Sequence, residues 1–538
     1  MFYRIKSYRN KDGSQRQYIS LVATKRIEGQ IRQVTVAHLG RVEQVAELMP
    51  DLVKKLGHFT NKLAVIDGSK GLKNDWVKEY GPVVIFSRLW QQLGLERYLG
   101  KYLKRRRIVF DASQAIFAMA LNRLLEPKSE LATHGWAKGL YGLRAVDDLN
   151  CWYRALDVLM EHKDHIEQEL FVSQRDLFND EIDVVLMDTT SVVYWGEGTG
   201  ADGLLAYGYS KQKRFDLKQV IVGILMTKDG VPIGHEIYPG NTNDIRAFEA
   251  MMQAVAERFH IRRVVIVCDR GMVSERNLKL LEQAGYEYVV GVRMRQLKQH
   301  DARRLLEKAK MRSVSPQLKG REVPFEGKRL VVCFNAEQAE KDKQKRQEII
   351  GRLVEKLKTQ GLKSLLFRKE YSKYIKIKAD KPQLNEEKIR AEEKFDGKFV
   401  LQTNTALHWK EVVRAYKDLW QVEAAFRALK NELAMGPIYH SAERRIRAHI
   451  FICFLALVLR INLQKKLTDI DRTLSFSKVI DDLKKIKAVK VSLQTTPYIL
   501  RTELTGDACY AFKAVGLKIP PRLLNDPPPK ETIVVPHL

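Results

Sequence analysis

VVLMDTTS (residues 184–191) and VVIVCDRGM (264–272) decide the reading of the fold. Both open on a continuous apolar run rich in β-branched residues, Val184–Met187 and Val264–Cys268, as expected of strands covered on both faces. Each run is followed by an aspartate, Asp188 and Asp269. A charge inside such a strand must be neutralised or paired. At the C-terminal end of a central strand it opens instead into the crevice where α/β sheets hold ligands. One aspartate after one strand ordinarily does no more than cap a turn. Two in equivalent places call for a third carboxylate to complete a cage for divalent metal.

A third acid lies in an amphipathic stretch from His408 to Leu433, where Val412, Val413, Leu419, Val422, Phe426 and Leu429 supply a helical period. The pattern predicts one helix. Tyr416, Glu423 and Lys430 are spaced by seven, so they stack along one stripe with a drift of about 20° per step. By itself such a stripe reads as a solvated helix face.

Taken together, these residues resemble the DDE transposases of bacterial insertion sequences. Tyr416, Glu423 and Lys430 fall on the Y-(2)-R-(3)-E-(6)-K spacing of that family, and Asp188 and Asp269 sit in its DTT and DRG contexts. YGYSKQKRFDLKQV (207–220) and YPGNTND (238–244) are similar to the surroundings of its first aspartate. One position departs: the signature arginine is Leu419 here, and Arg427, one turn beyond Glu423, is the candidate to replace it. The resemblance implies an α/β fold with an RNase H-like catalytic core interrupted by an insertion domain. It also implies two Mg²⁺ or Mn²⁺ ions, with Asp188 bridging them and Asp269 and Glu423 each holding one. Such a metal pair activates the attacking oxygen and stabilises the leaving one, and hard oxygen ligands select these metals.

In the same reading Tyr416, Lys430 and Arg427 contact DNA phosphates, and Lys211, Lys213 and Arg214 guide the strand into the site. The partners are double-stranded DNA, as terminal inverted repeats and as target, and a second copy of the chain, because synapsis of two ends suggests a homodimer. The function implied is cleavage at the ends of the protein's own element and strand transfer. A nuclease or resolvase without strand transfer, and an inert domesticated DNA-binding protein, remain the competing readings.

The charge balance agrees with a polyanionic partner. The 538 residues hold 93 Lys and Arg against 65 Asp and Glu, a net +28 with pI near 9.7, which would steer encounter with DNA, RNA or an anionic surface alike. The longest apolar run, Ile450–Leu459, is far short of the roughly 20 residues that span a bilayer, so a buried core helix is expected there. MFYRIKSYRNKDG at the N-terminus lacks an apolar signal segment, giving a cytoplasmic expectation, with nucleoid association when DNA is bound. Five cysteines without a C-x-x-C pair support neither a disulfide framework nor structural zinc, and buried free thiols are expected.

Length predicts several domains. Residues 1–60 read as a small basic β-meander, a candidate module for binding DNA ends, and 76–178 as a helical domain. Within the latter, Lys104-Arg105-Arg106-Arg107 is either a phosphate contact or a charged linker. Residues 182–292 follow the order strand, hairpin, helix, strand, helix, strand, the first part of the core, with Asn241-Thr242 as the cap of its first helix. Residues 293–400 read as the insertion domain, 401–465 as the helix bearing Glu423 and its successor, and 466–538 as a C-terminal region with a possible dimerisation role and a Pro-rich tail. The resembling transposases hold a flipped base with an aromatic of the insertion domain. No Trp falls in 293–400, which leaves Phe367, Tyr371 or Tyr374 for that role.

Overall fold

The computed structural model describes residues 2–10, 12–27, 30–45, 47–48, 73–105, 110–143, 146–174, 183–196, 203–210, 213–259, 264–269, 272, 274–292, 294, 311–325, 327–359, 368–378, 381–493 and 496–524. Two compact units emerge, Met1–Val77 with Val489–Leu500, and Lys78–Ala488 with Arg501–Leu538.

The first unit begins with an antiparallel meander, β1 (Phe2–Arg9), β2 (Gln15–Ile27) and β3 (Gln30–Arg41). Asp12 Oδ1 closes its first turn by accepting from Ser14 N and Oγ at 3.0 and 2.7 Å. A further strand, β4 (Lys73–Glu79), occupies part of the stretch whose period predicted helix from about 76.

The second unit opens with six helices, α1 (Gly81–Gln92), α2 (Leu95–Arg105), α3 (Ala112–Leu125), α4 (Glu130–Ala137), α5 (Leu149–Glu161) and α6 (Lys163–Gln174). α3 is the hub of this bundle: it is buried almost all round and is capped by Asp111, whose side chain accepts from Gln114 N. The side chains of Lys104, Arg105 and the rest of the basic cluster lie outside the described residues.

The second unit is organised by one sheet. Its elements are β5 (Asp183–Val193), β6 (Gln219–Thr227), β7 (Pro232–Pro239), α7 (Asp244–Phe259), β8 (Val264–Cys268), α8 (Glu275–Gln283) and β9 (Glu287–Gly291). β5, β6 and β7 are antiparallel, and β8 and β9 run parallel to β5. Two local expectations are corrected. β5 continues to Val193 instead of ending at Asp188, because β6 still pairs with it after β8 has stopped. The cap of α7 is Asn243 rather than Asn241-Thr242, since its Oδ1 accepts from Arg246 N at 2.9 Å.

Next come β10 (Arg312–Ser315), β11 (Leu318–Phe325), β12 (Lys328–Asn335), α9 (Ala336–Thr359), α10 (Lys369–Ser372), β13 (Ile375–Lys378), β14 (Lys381–Leu384), α11 (Glu386–Glu393) and β15 (Lys398–Thr403). The stretch read as an insertion is partly sheet extension. β15 pairs with β9, and the whole order is β10-β11-β12-β15-β9-β8-β5-β6-β7. The β13–β14 hairpin and its helices close a small core of their own, around Leu353, Tyr371, Tyr374 and Ile375, and the extension closes another around Val323, Leu330, Val332 and Val400. Tyr371 and Tyr374 are 3% and 2% exposed, which removes both from any base-stacking role. Phe367 lies outside the described residues.

The chain closes with α12 (Trp409–Lys417), α13 (Trp420–Asn431), α14 (Glu443–Ile470), α15 (Phe476–Lys484), β16 (Lys487–Leu493), β17 (Thr496–Arg501), α16 (Ala508–Ala514) and β18 (Leu523–Leu524). α14 is long and apolar enough to cross a membrane by length and composition. Ile450–Leu459 is buried throughout by protein, however, as in a core helix. Three of the five cysteines are buried; Cys151 is half-buried and Cys509 exposed, against the expectation of uniformly buried thiols.

Two apolar clusters cover the two faces of the sheet, and the strands alternate between them. Leu186, Val265 and Val267 join α12, α13 and α14 on one face. Val185, Met187, Ile266 and Cys268 join α7 and α8 on the other. This period of two is what fixes the direction of the acids.

Candidate active site

Asp188 lies two residues beyond Leu186 and Asp269 two beyond Val267, so the alternation sends both toward the face covered by α12 and α13. The parallel register Met187↔Cys268 makes them neighbours at the point where β8 ends and β5 runs on. Thr189, on the opposite face, behaves as alternation requires: its Oγ1 donates to Asp244 Oδ1 of α7 at 2.7 Å, while its N–H donates to Asp188 Oδ1 at 2.7 Å. Electrostatics agree. Burial pushes the Cys268 thiol well up, and the charges of Asp269 and Asp188 push it the same way.

The predicted single helix is two. α12 stops at Lys417, and α13 starts at Trp420. Across the break Leu419 N bonds Tyr416 O, Gln421 N bonds Asp418 O and Val422 N bonds Leu419 O, a tightening to i→i+3 bonds at a helix end. The seven-residue stripe therefore holds between Glu423 and Lys430, both on α13, but not through Tyr416. α12 is fixed by a capping box, His408 Nδ1 accepting from Lys410 N and Glu411 Oε2 from His408 N. It delivers Tyr416 to the aspartates: the phenol donates to Asp269 Oδ1 at 3.2 Å, and the ring stacks on Phe399 of β15 at 6.0 Å and 23°.

α13 is held at both ends. Gln421 Nε2 donates to Lys228 O in the β6–β7 turn at 2.9 Å. Beyond the helix, Ile438 N donates to Val193 O and accepts through its carbonyl from Trp195 N, a short ladder on the extension of β5. Val422, Phe426 and Leu429 sink into the core shared with Leu186, leaving Glu423 and Arg427 exposed and Lys430 half-buried. The carboxylate oxygens of Asp188, Asp269 and Glu423 are not gathered within 4.8 Å of one another; among the described residues only Glu130, His440 and His449 meet that condition. That buried group does not suit a metal. The Arg123 guanidinium lies 3.3 Å from His449 Nδ1 and 3.5 Å from Glu130 Oε1, a cation already in place.

The loops expected around the first aspartate pack backbone to backbone. A Cβ on Gly208 would sit 2.1 Å from Gly240 O, and one on Gly240 would sit 2.0 Å from Gln219 O. Buried Gln219 ties them, donating to Gly240 O and Tyr209 O. Lys213 is exposed. Arg214 is bidentate on Asp216 at 2.7 and 2.9 Å and lies over the Trp195 ring. Lys211 lies outside the described residues. The Tyr416–Asp269 bond gives the phenol a partner within the protein that the sequence did not suggest. A chain separation of 147 residues leaves no local signal for such a pair.

A family model described as the transposase DDE domain matches residues 179–459, more than half of the 538. The chain belongs to the DDE transposase family. Residues 3–65 match a second model, the N-terminal domain of IS1634 family transposases, which places this transposase among those of insertion sequences. No curated protein matches. Among solved structures, the piggyBac transposase synaptic complex with hairpin DNA is 10% identical, with 77% of this chain and 82% of that one covered at a TM-score of 0.37. The Mos1 strand transfer complex is 17% identical, with 36% and 56% covered at a TM-score of 0.14. Likenesses this slight carry no weight for mechanism.

Proposed function

We propose that this transposase has an RNase H-like core that cuts DNA at the ends of its mobile element and joins them to target DNA, with Asp188, Asp269 and Glu423 as its metal carboxylates. The observation that carries the reading is the shared face: strand register and alternation set Asp188 beside Asp269 under the two helices that bear Tyr416 and Glu423. Two adjacent carboxylates repel each other unless a proton or cation lies between them. The donors are hard oxygens, so the set fits Mg²⁺ or Mn²⁺. Bound there, a pair of such ions would activate the attacking oxygen and stabilise the leaving one.

The chain's own residues hold and orient. Asp188 supplies a ligand from within the sheet, Asp269 one from just past the end of β8, and Glu423 one from a helix pinned at both ends. Lys430 and Arg427, on the same helix, meet the phosphates beside the scissile bond, and exposed Lys213 attracts the flanking strand. The β1–β3 meander contributes further DNA contacts, and two copies of the chain pair the two element ends. Action on cytoplasmic, nucleoid DNA follows from this role.

The test is cleavage and joining of a duplex carrying the element's end, in Mg²⁺. Asp188→Asn, Asp269→Asn and Glu423→Gln should each lose both products while still binding the duplex. Substantial cleavage by any one of them removes that residue from the set. Cleavage without joining by the unaltered protein would make it a nuclease.

A further inference from the structure

Tyr416 holds a place that the phosphate role does not explain. Its hydroxyl is turned onto a carboxylate, and its ring is fixed between the core beneath α12 and the face of Phe399. A phenol that donates 3.2 Å to Asp269 Oδ1 leaves the other oxygen, Oδ2, outside that bond, on an exposed carboxylate. Few rotamers of Asp269 keep that bond, and the exposed aspartate sits past the last ladder pair of β8, where the strand no longer restrains it. The Tyr416 hydroxyl supplies a side-chain bond that can orient it.

We infer that Tyr416 is a positioning residue for Asp269: its hydroxyl fixes the carboxylate in the rotamer that presents one oxygen to a divalent cation. The inference rests on the carboxylate assignment above. It differs from a DNA-phosphate role in what it predicts for the protein without DNA. Partners behind a metal ligand set its orientation, and their loss commonly lowers metal affinity by about 10- to 100-fold. Phe399 acts one step further back. It holds the ring that holds the hydroxyl, so its truncation should act in the same direction and more weakly.

The measurement is Mn²⁺ binding to the full chain without DNA, followed by electron paramagnetic resonance of the free ion. It is read alongside thermal melting and metal-free affinity for a short linear duplex. Tyr416→Phe removes one oxygen and keeps the ring. It should weaken Mn²⁺ binding by about 10-fold or more, with the melting temperature and metal-free duplex affinity unchanged. Phe399→Leu should give a smaller loss of Mn²⁺ affinity. Unaltered Mn²⁺ binding by Tyr416→Phe, when Asp269→Asn has lost it, overturns the positioning role. Unaltered binding by Asp269→Asn as well would overturn the carboxylate assignment instead. Weakened duplex binding with normal Mn²⁺ affinity would return Tyr416 to the phosphates.

Discussion

Two groups of carboxylates flank the same sheet and are built in opposite ways. Glu167 of α6 is wholly buried, yet Lys163 Nζ, Arg258 and His235 Nδ1 surround it at 3.1, 2.5 and 2.7 Å. Burial pushes its carboxyl up, but Lys163, then His235 and Arg258, pull harder and hold it down at about 2. Asp188 and Asp269 instead accept from a backbone N–H and a phenol, and they lie next to each other. The first group brings its cations in its own sequence and joins α6, β7 and α7. The second places like charges together on adjacent strands. Glu167 is held among cations of its own sequence, whereas Asp188 and Asp269 set like charges side by side, an arrangement that favours a cation between them.

The strongest way to break this comparison is to neutralise one member of each group. Asp269→Asn should eliminate cleavage while leaving stability equal or slightly raised, because a repulsion is relieved. Its affinity for duplex DNA should keep the steep salt dependence of the unaltered protein, about −0.9 in log–log slope per neutralised phosphate. Urea unfolding and a filter-binding titration check both halves. A large loss of stability in this variant would make the aspartates structural.

Glu167→Ala should do the reverse. Removing the anion from a buried network strands its cations and costs about 3–5 kcal/mol, read as a lower urea midpoint, whereas any folded fraction should cleave normally. The pH dependence has a definite sign. The folded carboxyl lies at about 2, below its ordinary value of 4.5, so its contribution is complete above pH 4.5 and is lost as pH falls toward 2. Unfolding midpoints of Glu167→Gln should therefore change less over that window than those of the unaltered protein. Equal acid sensitivity in the two would assign the acid transition to other groups.

What is legible in the sequence is largely periodic. β8 is found at Val264–Cys268 as the β-branched run predicts, and the hairpin at Lys228–Gly230 joins β6 to β7. Both aspartates face one side because the period of a strand is two. The pattern misleads where tertiary pairing overrides it. Met187-Asp188-Thr189 reads as a strand end because a charge interrupts an apolar run, yet β6 carries the ladder through to Val193. The break at Asp418-Leu419 is invisible because neither residue is a helix breaker. Both have helical backbone angles, and only the bonding shifts from i→i+4 to i→i+3. The extension of the sheet through β15 joins Leu401 to Gly291 across more than a hundred residues, a pairing with no local trace.

The smallest expected effect tests whether α13 alone carries the DNA-facing stripe. Lys430 shares that helix with Glu423, seven residues on, so it should lie beside the scissile phosphate. Lys417 ends α12 on the other side of the break. Its charge is felt at the Cys333 thiol of β12, where it opposes the larger upward push of burial, so it sits over the far part of the sheet. Misplacing a reacting phosphate by about 1 Å can cost on the order of 100-fold in rate, and losing one of several contacts costs less. Lys430→Ala should therefore slow cleavage of pre-bound end DNA by about 10-fold, with Lys417→Ala within about twofold of the unaltered protein. Single-turnover rates at saturating DNA separate this from affinity. Equal, mild losses in the two variants would make the α13 stripe a solvated face and leave positioning of the phosphate to Arg427 or to residues of another element.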